Sequence, residues 1–207
     1  MVTPLLSDAD RQRIESAIHS IEQKSSLELV VAVVGRSADY WQWRVLLAVC
    51  TGLSAGFAAL EWAPIPPLWA LVLQLPIGAL AYLALGVSGL HRSLIPERAS
   101  LAAVQAYAFR LFAERGLHHT HEHTGLLILV SALERRVVIL GDSGLHARIG
   151  ESGWSEYVAH LVQRLREGRA AEGILEVIAR VEAKLAAEFP RRTDDADELP
   201  NAVIVHP

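Results

Sequence analysis

The sequence predicts an α/β fold: a small mixed sheet flanked by helices, interrupted by a two-helix transmembrane hairpin. Three observations carry this. Two long runs in the middle of the chain, 45–60 and 63–90, contain no charged residue. Val- and Leu-rich runs of strand length lie on both sides of them, at 27–34, 125–130 and 137–140. Apolar residues at helical spacing accompany those strands in both flanks. With 52% hydrophobic and 20% charged residues, the chain is neither disordered nor collagen-like. Its one cysteine excludes an intrachain disulfide, and a net charge of −4 lacks the basic footprint of a dedicated nucleic-acid binder.

Ser7-Asp8-Ala9-Asp10 has the form of an N-cap with a carboxylate three residues on. Ile14, Ile18 and Ile21 follow at helical spacing, so a first amphipathic helix is expected over 8–22. The run Leu27-Glu28-Leu29-Val30-Val31-Ala32-Val33-Val34 is almost continuously apolar, as in a central strand covered on both faces. The flank 1–42 is too small to bury such a strand alone. Its partners must come from beyond the hairpin.

The hairpin is placed at 43–92, with spans at 43–62 and 68–90. Trp43 and Trp62 bracket the first run, and roughly 20 residues suffice to cross a bilayer. Tryptophan at both ends suits the two interfaces. The run lies too far into the sequence to be a signal peptide. Ala63-Pro64-Ile65-Pro66-Pro67 carries no Lys or Arg and reads as a tight turn on the far side. Arg36 precedes the hairpin and Arg44 stands at its start, while Arg92 stands at its end and Arg98 follows it. The positive-inside rule then expects a multi-pass protein of the inner (cell) membrane with both termini in the cytoplasm. Gly52 and Gly56 form a G-x-x-x-G step with two readings, a homodimer seam or packing against the second span of the same chain. Two spans of one hairpin must pack in any case, which favours the second. Pro76 and Gly78 are expected to bend the second span, and Cys50 behaves there as a small apolar residue.

In the second flank, 93–190, Leu101, Val104, Ala108, Leu111 and Phe112 mark a helix over 97–115, with Gly116 suited to its C-terminal cap. The strands at 125–130 and 137–140 are joined by the short link 132–136, an antiparallel hairpin. The strand before the insertion and the strand after the crossover helix should be parallel, with a right-handed crossover. Asp142-Ser143-Gly144 ends the last strand. A helix carrying Trp154, Val158, Leu161 and Leu165 follows, then one carrying Ile174, Ile178, Val181 and Leu185, which Pro190 stops. Residues 191–207 read as a polar tail.

Asp142 is the best single candidate for chemistry. It lies just beyond a strand end, where α/β sheets place their ligands, and Gly144 permits a tight turn there. Its carboxylate suits a hard cation such as Mg²⁺ or Ca²⁺. The competing reading is an Asx-type turn. His118-His119-Thr120-His121-Glu122-His123 is the densest titratable cluster. In an extended segment His119, His121 and His123 share one face and suit a transition metal such as Zn²⁺; otherwise they form an exposed loop at a helix C-terminus. Glu134-Arg135-Arg136 offers a contact to anionic lipid or simply a solvated turn. Trp154 and Tyr157 are expected in the core. Phosphate-binding glycine loops, dinucleotide fingerprints, zinc-protease helices and nucleophile elbows are absent from the sequence. No catalytic residue is assigned, because one carboxylate is not a catalytic site. Arrival of Asp39 or Glu134 beside Asp142 would point to an enzyme.

Several of these stretches resemble the TPM domain family, its membrane-anchored bacterial branch above all. They are Leu6-Ser7-Asp8-Ala9-Asp10, Leu27-Glu28-Leu29-Val30-Val31, Gly116-Leu117-His118-His119-Thr120 and Thr124-Gly125-Leu126-Leu127-Ile128. Glu134-Arg135-Arg136-Val137-Val138-Ile139-Leu140, Asp142-Ser143-Gly144, Trp154 and Glu198-Leu199-Pro200-Asn201 follow in order. The resemblance implies a TPM-like α/β sandwich beside a membrane. It implies for some relatives a phosphatase activity with a divalent metal, and for others an assembly or modulator role. The hairpin inside the domain departs from the better-known members, which carry their leader and anchor outside it. The expectation is a membrane protein whose cytoplasm-facing domain binds, assembles or modulates other membrane proteins, with the lipid bilayer as its second partner and no nucleic acid. The rival is a divalent-metal-dependent phosphatase with a site near Asp142.

Overall fold

The computed structural model describes residues 6–87, 95–120, 123–185, 188–191 and 203–206. The elements in order are α1 (Asp8–Lys24), β1 (Glu28–Val34), α2 (Trp41–Trp62), α3 (Pro67–Val87), α4 (Glu97–Glu114), β2 (Gly125–Ser131), β3 (Arg136–Gly141), α5 (Ser143–Arg166), α6 (Ala170–Leu185) and β4 (Ile204–His206). They form two units, one of Met1–Ser37 with Leu101–Pro207, the other of Ala38–Ser100.

In the first unit the strand order is β3-β2-β1-β4. β1 pairs in parallel with β2 from Glu28↔Gly125 to Val34↔Ser131, and β2 pairs antiparallel with β3. Residues from both sides of the insertion therefore share one sheet. All seven residues of β1 are buried, which accounts for its continuous apolar run. Alternate residues face opposite layers. Leu29, Val31 and Val33, with Leu126, Ile128 and Val130, pack beneath α1, α5 and α6. Val30, Ala32 and Val34, with Leu127 and Leu129, pack beneath α4 through Val104, Ala108 and Leu111.

Local chemistry sets the helix ends. Ser7 Oγ accepts the Asp10 N–H at 3.1 Å, and the Asp10 carboxylate accepts the Ser7 N–H at 3.1 Å, a reciprocal cap at the start of α1. Gly116 takes φ 70° after α4, a left-handed conformation that costs glycine little. Two elements differ from the sequence expectation. α5 begins directly at Ser143, and Gly150 (φ 73°) breaks its helical geometry part-way. Residues 204–206, expected in a polar tail, form β4 beside β1 (Ala32↔Ile204). Three residues are too few for periodicity to reveal, and only the open edge of β1 makes them a strand.

α5 and α6 are joined by a charged cluster. Arg164 Nε and Nη2 donate to Glu176 Oε2 and Oε1 at 2.9 and 2.8 Å, and His160 shares the same carboxylate. The Arg164 hydrogen bonds, followed by that of His160, hold the Glu176 carboxyl below its ordinary value of 4.5. A carboxyl depressed in the folded state stabilises above its unfolded value and loses that contribution as pH falls through the folded one. Melting curves at stepped pH should therefore show Glu176→Gln less stable than wild type near neutrality, with the gap closing below pH 4.5. A gap independent of pH would contradict this origin.

In the second unit α2 and α3 are each long and apolar enough to cross a membrane. Their outer faces are apolar and exposed: Phe57 66%, Trp62 86%, Leu75 78%. Gly52 and Gly56 are buried against α3, and a Cβ on Gly52 would lie 2.7 Å from the Gln74 carbonyl oxygen. The seam that the dimer reading offered to a second copy is thus filled within the chain. α3 continues through Pro76, and positions 88–90 of the expected second span lie outside the described residues. Arg44 donates through Nη2 to the Tyr82 carbonyl at 3.1 Å, with its guanidinium 4.4 Å from the Tyr82 ring centre.

Candidate functional site

β3 delivers Asp142 to the edge of the sheet where β1 and β2 begin. Asp142 N–H donates to the Gly125 carbonyl at 2.9 Å, and Gly125 is the register partner of Glu28. The ligand crevice of a parallel sheet lies at the opposite edge, beyond the strand C-termini. Asp142 ends a strand, but that strand is antiparallel, so the crevice expectation fails for it.

The Asp142 carboxylate is used at both oxygens. Oδ1 accepts the Ser143 N–H at 2.6 Å, making Asp142 the N-cap of α5. Oδ2 lies 3.0 Å from His123 Nδ1. The Asp142 side chain is 15% exposed and His123 61%. The chain just before β2 is fixed by Thr120 Oγ1, which accepts the Thr124 N–H at 3.0 Å, and by Thr124 Oγ1, which donates to the Ser26 carbonyl. His123 there takes φ 55°. Gly144 lies within α5 and is not among the positive-φ glycines, so no tight turn forms at it.

The histidine cluster is not an extended segment. The chain turns at 115–119, the His118 and His119 rings lie 3.8 Å apart at a 43° tilt, and His123 meets Asp142 instead of His119. His121 lies outside the described residues. Sequence reasoning missed two features at this edge: an acidic partner for the cluster, and Glu28. Glu28 is buried and stands in register with Gly125, one strand from Asp142. A single acid opening an otherwise apolar strand was the available signal. Glu134 is at the far end of the sheet, in the β2–β3 turn, where its Oε1 accepts the Ser37 N–H at 3.1 Å and its other oxygen meets the Ser131 hydroxyl. Asp39 belongs to the second unit.

Among the described residues no three His, Cys, Asp or Glu side chains converge to hold a metal. Hard cations take several oxygen donors, and both Asp142 oxygens already accept hydrogen bonds. The described donor set does not fit a divalent cation. What the pair can do is fix an imidazole beside a helix N-terminus.

Residues 94–184 match the TPM domain family. The chain carries a TPM domain. The match takes in Asp142 and Trp154 and leaves out β1, which precedes the hairpin. Two NMR structures share the TPM fold seen here. The BA42 protein of the psychrophilic bacterium Bizionia argentinensis is 18% identical with a TM-score of 0.61, covering 99% of this chain and 98% of its own. The N-terminal domain of a protein from P. gingivalis is 16% identical with a TM-score of 0.52, covering 91% of this chain and 82% of its own. At these identities the likeness is one of fold. No curated protein matches the sequence.

The geometry assigns Asp142 of the TPM domain a capping task. Asp142→Ala should cost about 1 kcal/mol in chemical denaturation, and Asp142→Asn clearly less, since Asn caps helices about as well as Asp. Equal losses for both substitutions would show that the charge, and not the cap, is what the fold uses.

Proposed function

We propose that this chain is a multi-pass protein of the inner (cell) membrane, anchored by α2 and α3, whose TPM domain faces the cytoplasm as a binding, assembly or modulator module for other membrane proteins. The observation that carries the module reading is the commitment of both Asp142 oxygens, to Ser143 N–H and His123, with Glu134 at the opposite end of the sheet. The surface for a partner is the outer face of α4. Leu101 and Phe109 are 41% and 62% exposed there, while Val104 and Ala108 are buried against the sheet. The anchor reading is supported by the exposed apolar faces of the two long helices, which a core helix of a soluble protein would bury. The arginines at and beyond the two ends of the hairpin support the orientation.

The test pairs two measurements on the full chain in detergent. Capture from solubilised membranes should retain a membrane protein that Phe109→Glu loses, and added Mg²⁺ or Ca²⁺ should give no phosphate release. Reporter fusions at both termini check the orientation, and periplasmic activity from either would reverse it. A second reading, the metal-dependent phosphatase, is favoured by Glu28, which shares Asp142's edge of the sheet. Metal-dependent phosphate release that is lost in both Glu28→Gln and Asp142→Asn would establish it in place of the first.

A further inference from the structure

Arg44 is the single cation of α2 and α3, and it stands in the first turn of α2, where a cation opposes the helix dipole. That turn holds no acid, and no side chain caps it. The guanidinium is held on α3. Nη2 donates to the Tyr82 carbonyl at 3.1 Å, and the Tyr82 ring centre lies 4.4 Å from Cζ. Gly86, one turn further along α3, leaves the space for it, since a Cβ there would overlap Nη2. Nε is buried without a hydrogen-bond partner, and no carboxylate pairs with the group among the described residues. An arginine does not shed its charge in a protein, and in a membrane span such a charge needs a partner. Trp41, 56% exposed, and Trp43 lie in the same turn, as side chains at headgroup depth do. The anion present at that depth is a lipid phosphate.

We propose that Arg44, seated on Tyr82 and Gly86, binds the phosphodiester of an anionic phospholipid in the leaflet at this end of the hairpin. A guanidinium presents its N–H groups in a planar fork that matches two phosphate oxygens. Tyr82 takes one N–H of Nη2, which leaves the other, with both of Nη1, for the phosphate. The Tyr82 ring and the bare backbone of Gly86 fix the plane of the fork, which a freely snorkelling arginine lacks. Basic pockets between membrane helices hold lipid headgroups in this way. A choline headgroup sets its own cation beside its phosphate and so competes with the arginine, whereas a glycerol headgroup leaves the phosphate charge to it. The inference rests on the reading that α2 and α3 span a membrane.

The test uses the full chain in mild detergent, with phosphatidylglycerol or phosphatidylcholine added and bound lipid counted by native mass spectrometry. Phosphatidylglycerol should be retained in preference, and Arg44→Gln should weaken its retention about tenfold. Gly86→Ala keeps the charge but drives the guanidinium from its seat, and should weaken retention several-fold. Arg44→Lys keeps the charge without the fork and should do the same. Excess inorganic phosphate should leave the lipid bound; displacement would mean a site for soluble phosphate and overturn the lipid assignment. Equal retention of the two lipids, or phosphatidylglycerol held as tightly after Gly86→Ala or Arg44→Lys, makes Arg44 an ordinary interfacial charge and overturns the site. Alkaline carbonate extraction checks the anchor separately. A chain released by carbonate ends the membrane reading, whereas one that stays in the bilayer and fails the lipid tests loses only the headgroup site.

Discussion

Val31→Asp is expected to unfold the α/β unit on both sides of the helical insertion at once. Val31 is fully buried, pairs with Ile128 of β2, and faces the layer that holds Ile14 and Ile18 of α1 and Ile174 of α6. An aspartate there finds no cation among these neighbours. An uncompensated buried charge costs about 3–5 kcal/mol, against a total stability of about 5–15 kcal/mol for an ordinary domain. The damage cannot stay within the first flank, because β1 lies between β2 and β4, both supplied by the second. Limited proteolysis of the full chain in detergent gives the check. Cuts should appear together before Ser37 and after Leu101, with loss of the β-sheet signal in circular dichroism. A segment after Leu101 that keeps wild-type resistance would mean that the two flanks do not share a core.

That coupling was legible in the sequence because β1 is apolar at nearly every position while its own flank holds a single helix. A strand that needs cover on both faces has to find it elsewhere. The antiparallel β2–β3 pair was legible for a similar reason: the turn Ala132–Arg135 separates two runs of strand length. β4 was not, since three residues carry no period. The place of Asp142 was misread because the residues that end a strand do not announce its direction; only pairing with β2 puts this carboxylate beside the starts of β1 and β2. The histidines were read on one face by assuming an extended chain. The left-handed residues Gly116 and His123 turn that chain instead, and bring one imidazole to an acid distant in sequence. Gly52 and Gly56 were correctly read as packing against the second span, but the residue of that span that lies over Gly56, Gln74, was not foreseen. A glycine shows that something is near and leaves its identity to the fold.

Trp154 offers the second large effect, and its two substitutions should differ sharply. The indole is 8% exposed and lies over Gly141, where a Cβ would be 2.7 Å from its Cζ2 atom. It meets the Tyr157 ring edge-to-face at 6.1 Å. Trp154→Ala removes this ring from the packing between α5 and the sheet, and such truncations cost about 3–5 kcal/mol. The indole also carries a penalty of its own, because Nε1 is buried without a hydrogen-bond partner. A buried unsatisfied donor costs about 1–3 kcal/mol. Phenylalanine keeps one aromatic ring in contact and deletes that donor, so the lost area and the relieved donor largely offset each other. Trp154→Phe should therefore stay within about 1.5 kcal/mol of wild type, the range of tolerated apolar swaps in a core. Urea denaturation of the full chain, followed by circular dichroism, measures both, with wild type and variants in the same detergent. If Trp154→Phe proves as damaging as Trp154→Ala, the indole N–H has a partner in the folded protein, and its place in the core is held by that bond as well as by the ring.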